Sequence, residues 1–291
     1  MPKQILVKAE EIKQVISLAP GRQLTLTRPL VMGILNVTPD SFSDGGKYTS
    51  TDKAVKRALE METEGADIID IGGESSRPGS EPVSEKQELE RLIPVMKILK
   101  KHLKIPISVD TYKANVAKAS LEEGAEIIND ISALRFDQQM APLAAEKKVP
   151  VILMHMLGTP RDMQKNPSYR DCVAEISLFF TERVAFAVKM GIDKSKIILD
   201  PGIGFGKRLV DNIEIIANFK EFKKLSRPLM VGVSRKSFIG MLNPDGSFPD
   251  RRLGGSIAAA VAAVLNGADI IRVHDVAETV EALKVIQAVK E

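Results

Sequence analysis

Asp110, Asn129 and Asp200 each stand at the end of a short apolar run, and Arg272 and His274 stand at the end of another. The first three are acceptor-rich groups that can pair with a flat heterocycle bearing amino and ring N–H donors, because one carboxylate accepts two parallel N–H bonds from a single edge. Arg77, Arg272 and His274 gather positive charge suited to a phosphate or pyrophosphate. A nitrogen heterocycle with a diphosphate tail satisfies both sets. Capping is the competing reading of single residues: Asp110 precedes a helical pattern, Asp200 precedes Pro201, and His274-Asp275 precedes Val276. Independent caps would not sort by charge in this way. The run Gly202-Ile-Gly-Phe-Gly-Lys207 looks like a phosphate loop but lacks both the Walker and the dinucleotide spacing.

The elements that must hold these groups show in a repeat. Gly65-Ala-Asp-Ile-Ile-Asp70, Gly124-Ala-Glu-Ile-Ile-Asn129 and Gly267-Ala-Asp-Ile-Ile-Arg272 each follow a helical pattern, so the Gly reads as a helix C-cap and the rest as a buried strand. The scaffold stays constant while its last residue, Asp70, Asn129 or Arg272, changes chemistry. Polar groups at the carboxyl ends of parallel strands are how a (β/α)8 barrel displays its active site. Asp70, lying deepest, is expected to serve a structural or supporting role.

Apolar runs place strands at Leu30–Leu35, Asp67–Ile71, Ile105–Val109, Glu126–Asn129, Pro150–Met154, Lys196–Leu199, Pro228–Val233 and Asp269–Val273. Helices are expected at Asp52–Glu64, Ser84–His102, Lys113–Glu123, Gln138–Lys147, Tyr169–Met190, Asp211–Lys224, Gly255–Asn266 and Val276–Lys290. The alternation predicts an α/β (β/α)8 TIM barrel over residues 30–291. Residues 1–29 are expected to form an extension packed on its bottom, with a short amphipathic helix and a Pro20-Gly21 turn. Two Gly, Pro and Ser-rich loops read as lids: Leu35–Gly46, which carries Phe42, and Gly72–Gly79, which carries Arg77.

The 291 residues, 44% of them hydrophobic, suffice for one barrel of about 250 residues. A net charge of +3, from 41 basic and 38 acidic residues, lacks the excess expected of a nucleic-acid partner. Cys172 is the single cysteine, which excludes an internal disulfide, fits a reducing cytosol and reads as a small buried apolar residue. Met1-Pro-Lys-Gln shows no apolar leader, and the run Ile257–Leu265 falls short of the ~20 residues that span a bilayer. The expectation is a soluble cytoplasmic protein acting on small molecules, with no membrane partner.

Seven ordered motifs carry a resemblance. They are Gly33–Gly46 (GILNVTPDSFSDGG), Gly72–Gly79 (GGESSRPG), Ser108–Thr111 (SVDT), Ile128–Ile131 (INDI), Leu199–Lys207 (LDPGIGFGK), Ser234–Phe238 (SRKSF) and Arg272–His274 (RVH). On these the chain resembles the dihydropteroate synthase family from about Leu30 to its C-terminus. The resemblance implies a pterin-binding barrel that condenses 6-hydroxymethyl-7,8-dihydropterin diphosphate with 4-aminobenzoate, giving 7,8-dihydropteroate and pyrophosphate for folate synthesis.

It further implies that Asp110, Asn129, Asp200 and Lys236 hold the pterin and that Asn36 meets a Mg2+ on the diphosphate. Ser76, Arg272 and His274 would hold the diphosphate, beside the anion donor Arg77. Phe42, Pro78, Phe205, Lys236 and Ser237 would shape the aminobenzoate slot, where sulfonamides bind in this family. Ser76 departs from the usual Thr, keeping the hydroxyl and losing the methyl. Diphosphate departure would lead, leaving a pterin methylene cation; the acidic wall, with Asp44 on the first loop, would stabilise it. A homodimer is also implied. The rival readings are a methyltetrahydrofolate:corrinoid methyltransferase and a non-catalytic pterin-binding paralogue. The first handles no diphosphate, and the intact loop motifs argue against both.

Overall fold

Among residues 14–18, 21–38, 47–75, 79–243 and 248–290, which the computed structural model describes, ten strands and nine α-helices follow one another along the chain. An antiparallel hairpin, β1 (Gln14–Ser17) and β2 (Gln23–Leu26), comes first. The barrel strands are β3 (Leu30–Asn36), β4 (Ile68–Gly72), β5 (Ile107–Asp110), β6 (Ile127–Asp130), β7 (Val151–Met154), β8 (Ile197–Asp200), β9 (Met230–Val231) and β10 (Ile270–Val273). Helices α1 (Lys47–Glu64), α2 (Glu85–His102), α3 (Ala114–Glu122), α4 (Met140–Lys147), α5 (Cys172–Lys189) and α6 (Leu209–Ala217) separate them. The set is completed by α7 (Ser237–Leu242), α8 (Leu253–Leu265) and α9 (Val276–Lys290).

The eight barrel strands are parallel, in the order β8-β7-β6-β5-β4-β3-β10-β9. A bridge from Leu199 to Leu229 joins the two edge strands, so the sheet closes. The repeat seen in the sequence is a recurring helix ending. Gly65, Gly124 and Gly267 have φ near +100°, and the amide after each donates five residues back, as in Ala66 N to Met61 O at 2.9 Å. Each such cap turns the chain straight into a strand.

Inside the barrel Leu30, Met32, Ile68, Ile127, Ile152, Ile198, Met230 and Ile270 form an apolar floor. Ile16 and Leu18 of the hairpin segment pack against it from below, with Leu24 and Leu26 beside them. The described part of residues 1–29 is this hairpin; the short helix expected there is not found among the described residues. A second, larger cluster lies between the strands and the surrounding helices.

Helix α1 starts at Lys47 rather than Asp52, and α7 is a helix that the sequence pattern does not predict; three further elements differ for local reasons. The helix expected from Tyr169 starts at Cys172, because Asp171 accepts from Ala174 N at 2.9 Å as an N-cap. The segment Asp211–Lys224 splits into α6 and a 3-10 turn, Phe219–Leu225, at Asn218, whose side chain donates to Glu214 O at 3.0 Å. β9 is reduced to Met230–Val231, and its start is set after Leu229, whose amide donates to the Asp269 carboxylate at 2.8 Å.

Candidate active site

Above the apolar floor the strands turn polar. Asp110 ends β5, Asn129 lies in β6, Asp200 ends β8 and Arg272 lies in β10; all four line one narrow cleft. Lys236, at the start of α7, reaches the same cleft, so the acceptors predicted for one heterocycle do come together. Its walls are apolar: Ile131, Met154 and Phe205 belong to one buried cluster. Sequence reasoning missed Ile131 and Met154 because an apolar residue at a strand end reads as core. The two Met residues flanking His155 were the available signal.

Arg272 does not stand apart with the phosphate-seeking groups, as the charge partition predicts. Its Nε donates to Asp70 Oδ2 and its Nη2 to Asp110 Oδ2, both at 2.6 Å. The cation therefore sits inside the acidic set, because a guanidinium in a dry pocket needs carboxylates as partners. Burial holds the Asp110 carboxyl up at about 7, against the opposing pull of Arg272. Asp200 is likewise raised by burial, and its Oδ1 accepts from Gly202 N at 2.8 Å. Lys236 is pulled down to about 8 by burial and by Arg272, and its ammonium lies 4.1 Å from the centre of the Phe205 ring. If Asp110 must be ionised to accept donors from a ligand, affinity for a donor-bearing heterocycle should fall as the pH drops below about 7. Calorimetric titrations between pH 5.5 and 8.5 read this directly.

The glycine-rich segment 202–207 is not a phosphate loop. Gly202, Gly204 and Gly206 all have positive φ, and a Cβ at Gly202 would run into the His155 carbonyl. Lys207 turns inward: its Nζ donates to Phe205 O and to His155 Nδ1, each at 3.0 Å. Burial lowers Lys207 to about 7 and, together with the Lys207 charge, keeps His155 neutral and able to accept. The segment is thus clamped to the end of β7 and presents the Phe205 ring.

Within Ser234–Phe238, Arg235 is tied by two bonds to Asp275, leaving Lys236 to enter the cleft, while Ser237 lies exposed at the start of α7. His274 Nδ1 meets Ser234 Oγ at 3.0 Å; burial and Arg272 push the ring down to about 3, so it is a neutral partner there. Asn36 ends β3, half-buried beside Gly72 of β4. The described start of the Gly72–Gly79 loop is anchored, since Glu74 accepts from Tyr112 at 2.8 Å and pairs with Lys113. Phe42, Asp44, Ser76, Arg77 and Pro78 lie outside the described residues. Cys172 is buried, with its thiol pushed up to about 12 by burial, as expected of an inert apolar residue.

Residues 32–274 match the family model described as pterin binding enzyme. The dihydropteroate synthase of Escherichia coli K12 is 51% identical over 270 residues, which span 93% of this chain and 95% of that one. The Xanthomonas albilineans dihydropteroate synthase with 4-aminobenzoic acid superposes with a TM-score of 0.90 at 47% identity, covering 96% of this chain and 98% of the other. The synthase of the same organism in complex with 7,8-dihydropteroate gives a TM-score of 0.85 at 46% identity, covering 93% and 97%.

Proposed function

The chain belongs to the dihydropteroate synthases of the pterin binding enzyme family, and we propose that the mouth of its barrel joins 6-hydroxymethyl-7,8-dihydropterin diphosphate to 4-aminobenzoate in folate biosynthesis. The observation that carries the reading is one cleft in which Asp110, Asn129 and Asp200 offer acceptors between apolar walls, with Arg272 and Lys236 beside them. The acceptors take the amino and ring N–H edge of the pterin. Arg272 and His274, with Ser76 and Arg77, take the diphosphate. Phe42, Pro78, Phe205, Lys236 and Ser237 shape the aminobenzoate slot.

The pterin methylene C–O bond breaks and its electron pair leaves with the diphosphate. The aminobenzoate nitrogen then bonds to the methylene carbon and gives up a proton to solvent. Asp110, Asp200 and Asp44 favour the intervening cation electrostatically, which makes a nucleophilic side chain unnecessary.

Magnesium accompanies the diphosphate in this reading. Among the described residues no three His, Cys, Asp or Glu gather to hold a metal. Mg2+ commonly keeps several waters and binds through substrate phosphates with one or two protein oxygens, which the Asn36 amide at the end of β3 can supply. When bound, the ion neutralises charge on the leaving group.

The protein acts as a homodimer in the cytoplasm. Exposed Ile213 and Leu242, with Ile216, Phe238 and Ile239, line an apolar groove between α6, α7 and α8, a face suited to a second copy. No helix among the described residues is long and apolar enough to cross a membrane. Sedimentation should give the mass of two chains, and Ile213→Asp with Leu242→Asp should give that of one. An unchanged dimer would move the interface elsewhere.

The activity is tested with purified protein, the pterin diphosphate, 4-aminobenzoate and Mg2+. Dihydropteroate and pyrophosphate should appear one for one. Folded protein that forms neither overturns the reading.

A further inference from the structure

The three repeats put Asp70, Asn129 and Arg272 at equivalent positions on β4, β6 and β10, and the fold makes them meet at one atom. Asp70 Oδ2 accepts from Arg272 Nε at 2.6 Å and from Asn129 Nδ2 at 3.0 Å. Asp70 is fully buried and does not line the cleft, whereas both of its partners do. A carboxylate paired with a guanidinium only accepts. Asn129 must therefore turn its amide nitrogen to Asp70, which leaves Oδ1 for the cleft. Nε of Arg272 is likewise committed, which aims Nη2 at Asp110.

We infer that Asp70 is the positioning residue of this site: from outside the cleft it dictates that Asn129 accepts rather than donates, and it fixes the guanidinium that bridges to Asp110. The inference rests on the reading that the ligand is a pterin, whose donor-bearing edge needs an acceptor at Asn129. The arrangement makes Asn129 selective, because a ring presenting an acceptor there meets another acceptor.

Substitution separates positioning from mere packing. Asn at position 70 can keep an oxygen where Oδ2 stands and turn its amide to the side of Oδ1. That oxygen has no hydrogen-bond partner among the described residues, nor has the hydroxyl of Ser108, the residue opposite Asp70 in the β4–β5 register. Ala at 70 releases Asn129. Both substitutions also remove a negative charge near Asp110, which faces Arg272 on β10, Asp70 on β4, Glu88 on α2 and Lys236 ahead of α7. With Asp70 neutral, Arg272 acts on Asp110 less opposed, and the acid limb of ligand binding moves to lower pH.

The experiment is calorimetric titration of 6-hydroxymethylpterin into wild type, Asp70→Asn and Asp70→Ala from pH 5.5 to 8.5, with melting curves of each. Asp70→Ala should bind about tenfold more weakly at pH 8, the loss of one hydrogen bond, and Asp70→Asn should recover most of it. Both should show the acid limb below the wild-type limb. If Asp70→Ala does not fold, the recovered affinity and displaced limb of Asp70→Asn decide alone. Wild-type affinity in both variants, or equal losses with an unmoved limb, overturns the inference while wild-type binding leaves the functional reading standing. A wild type that binds no pterin overturns that reading and this inference with it.

Discussion

Arg272→Ala is expected to lower the melting temperature markedly and to weaken binding of a tail-less pterin as well as of the pterin diphosphate. Its guanidinium is the cation between Asp70 and Asp110, and removing it leaves two buried carboxylates facing each other. Breaking a buried pair by deleting one partner costs about 3–5 kcal/mol, which is large against the stability of a single domain. Asp110, already raised by burial to about 7, loses the charge that held it down and becomes protonated at neutral pH. The diphosphate then loses a direct partner, while the pterin loses an ionised acceptor. Chemical denaturation and calorimetry with both ligands check this. Unchanged stability with a loss confined to the diphosphate would restore the simpler picture, in which Arg272 is an anion clamp only.

Asp200→Asn should leave the fold intact and weaken pterin binding by roughly ten- to a hundredfold. Oδ1 of Asp200 accepts the Gly202 amide at 2.8 Å, a bond that the Asn oxygen keeps. The new NH2 then points into the cleft, donor against donor. An unsatisfied buried group costs about 1–3 kcal/mol, which sets the range. Unchanged calorimetric affinity in a folded variant removes Asp200 from the pterin edge.

Much of this was legible because barrel strands are short apolar runs that end in the residues they present. The expected strand Asp67–Ile71 is shifted by one residue from β4, and Pro150–Met154 exceeds β7 by one residue at its start. Asp110, Asn129 and Asp200 share a cleft because parallel strands in register must bring their carboxyl ends to one rim. What a sequence does not encode is reach across that rim. Asp70 and Arg272 lie 202 residues apart, and only closure of β3 between β4 and β10 lets the long Arg side chain cross to the acidic residues. Lys207 misleads for a related reason: Gly and Lys spacing suggests an anion, yet positive-φ glycines fold the loop inward and bury the ammonium against two carbonyls and a neutral imidazole.

The measurement closest to the central claim is a crystal structure of this chain with 6-hydroxymethylpterin bound. The account predicts the amino and ring N–H edge against Asp110, Asn129 Oδ1 and Asp200, with the ring between Met154 and the Lys236 stem. A ring seated in the groove between α6 and α8, or in the barrel mouth with that edge turned away from Asp200, would contradict it.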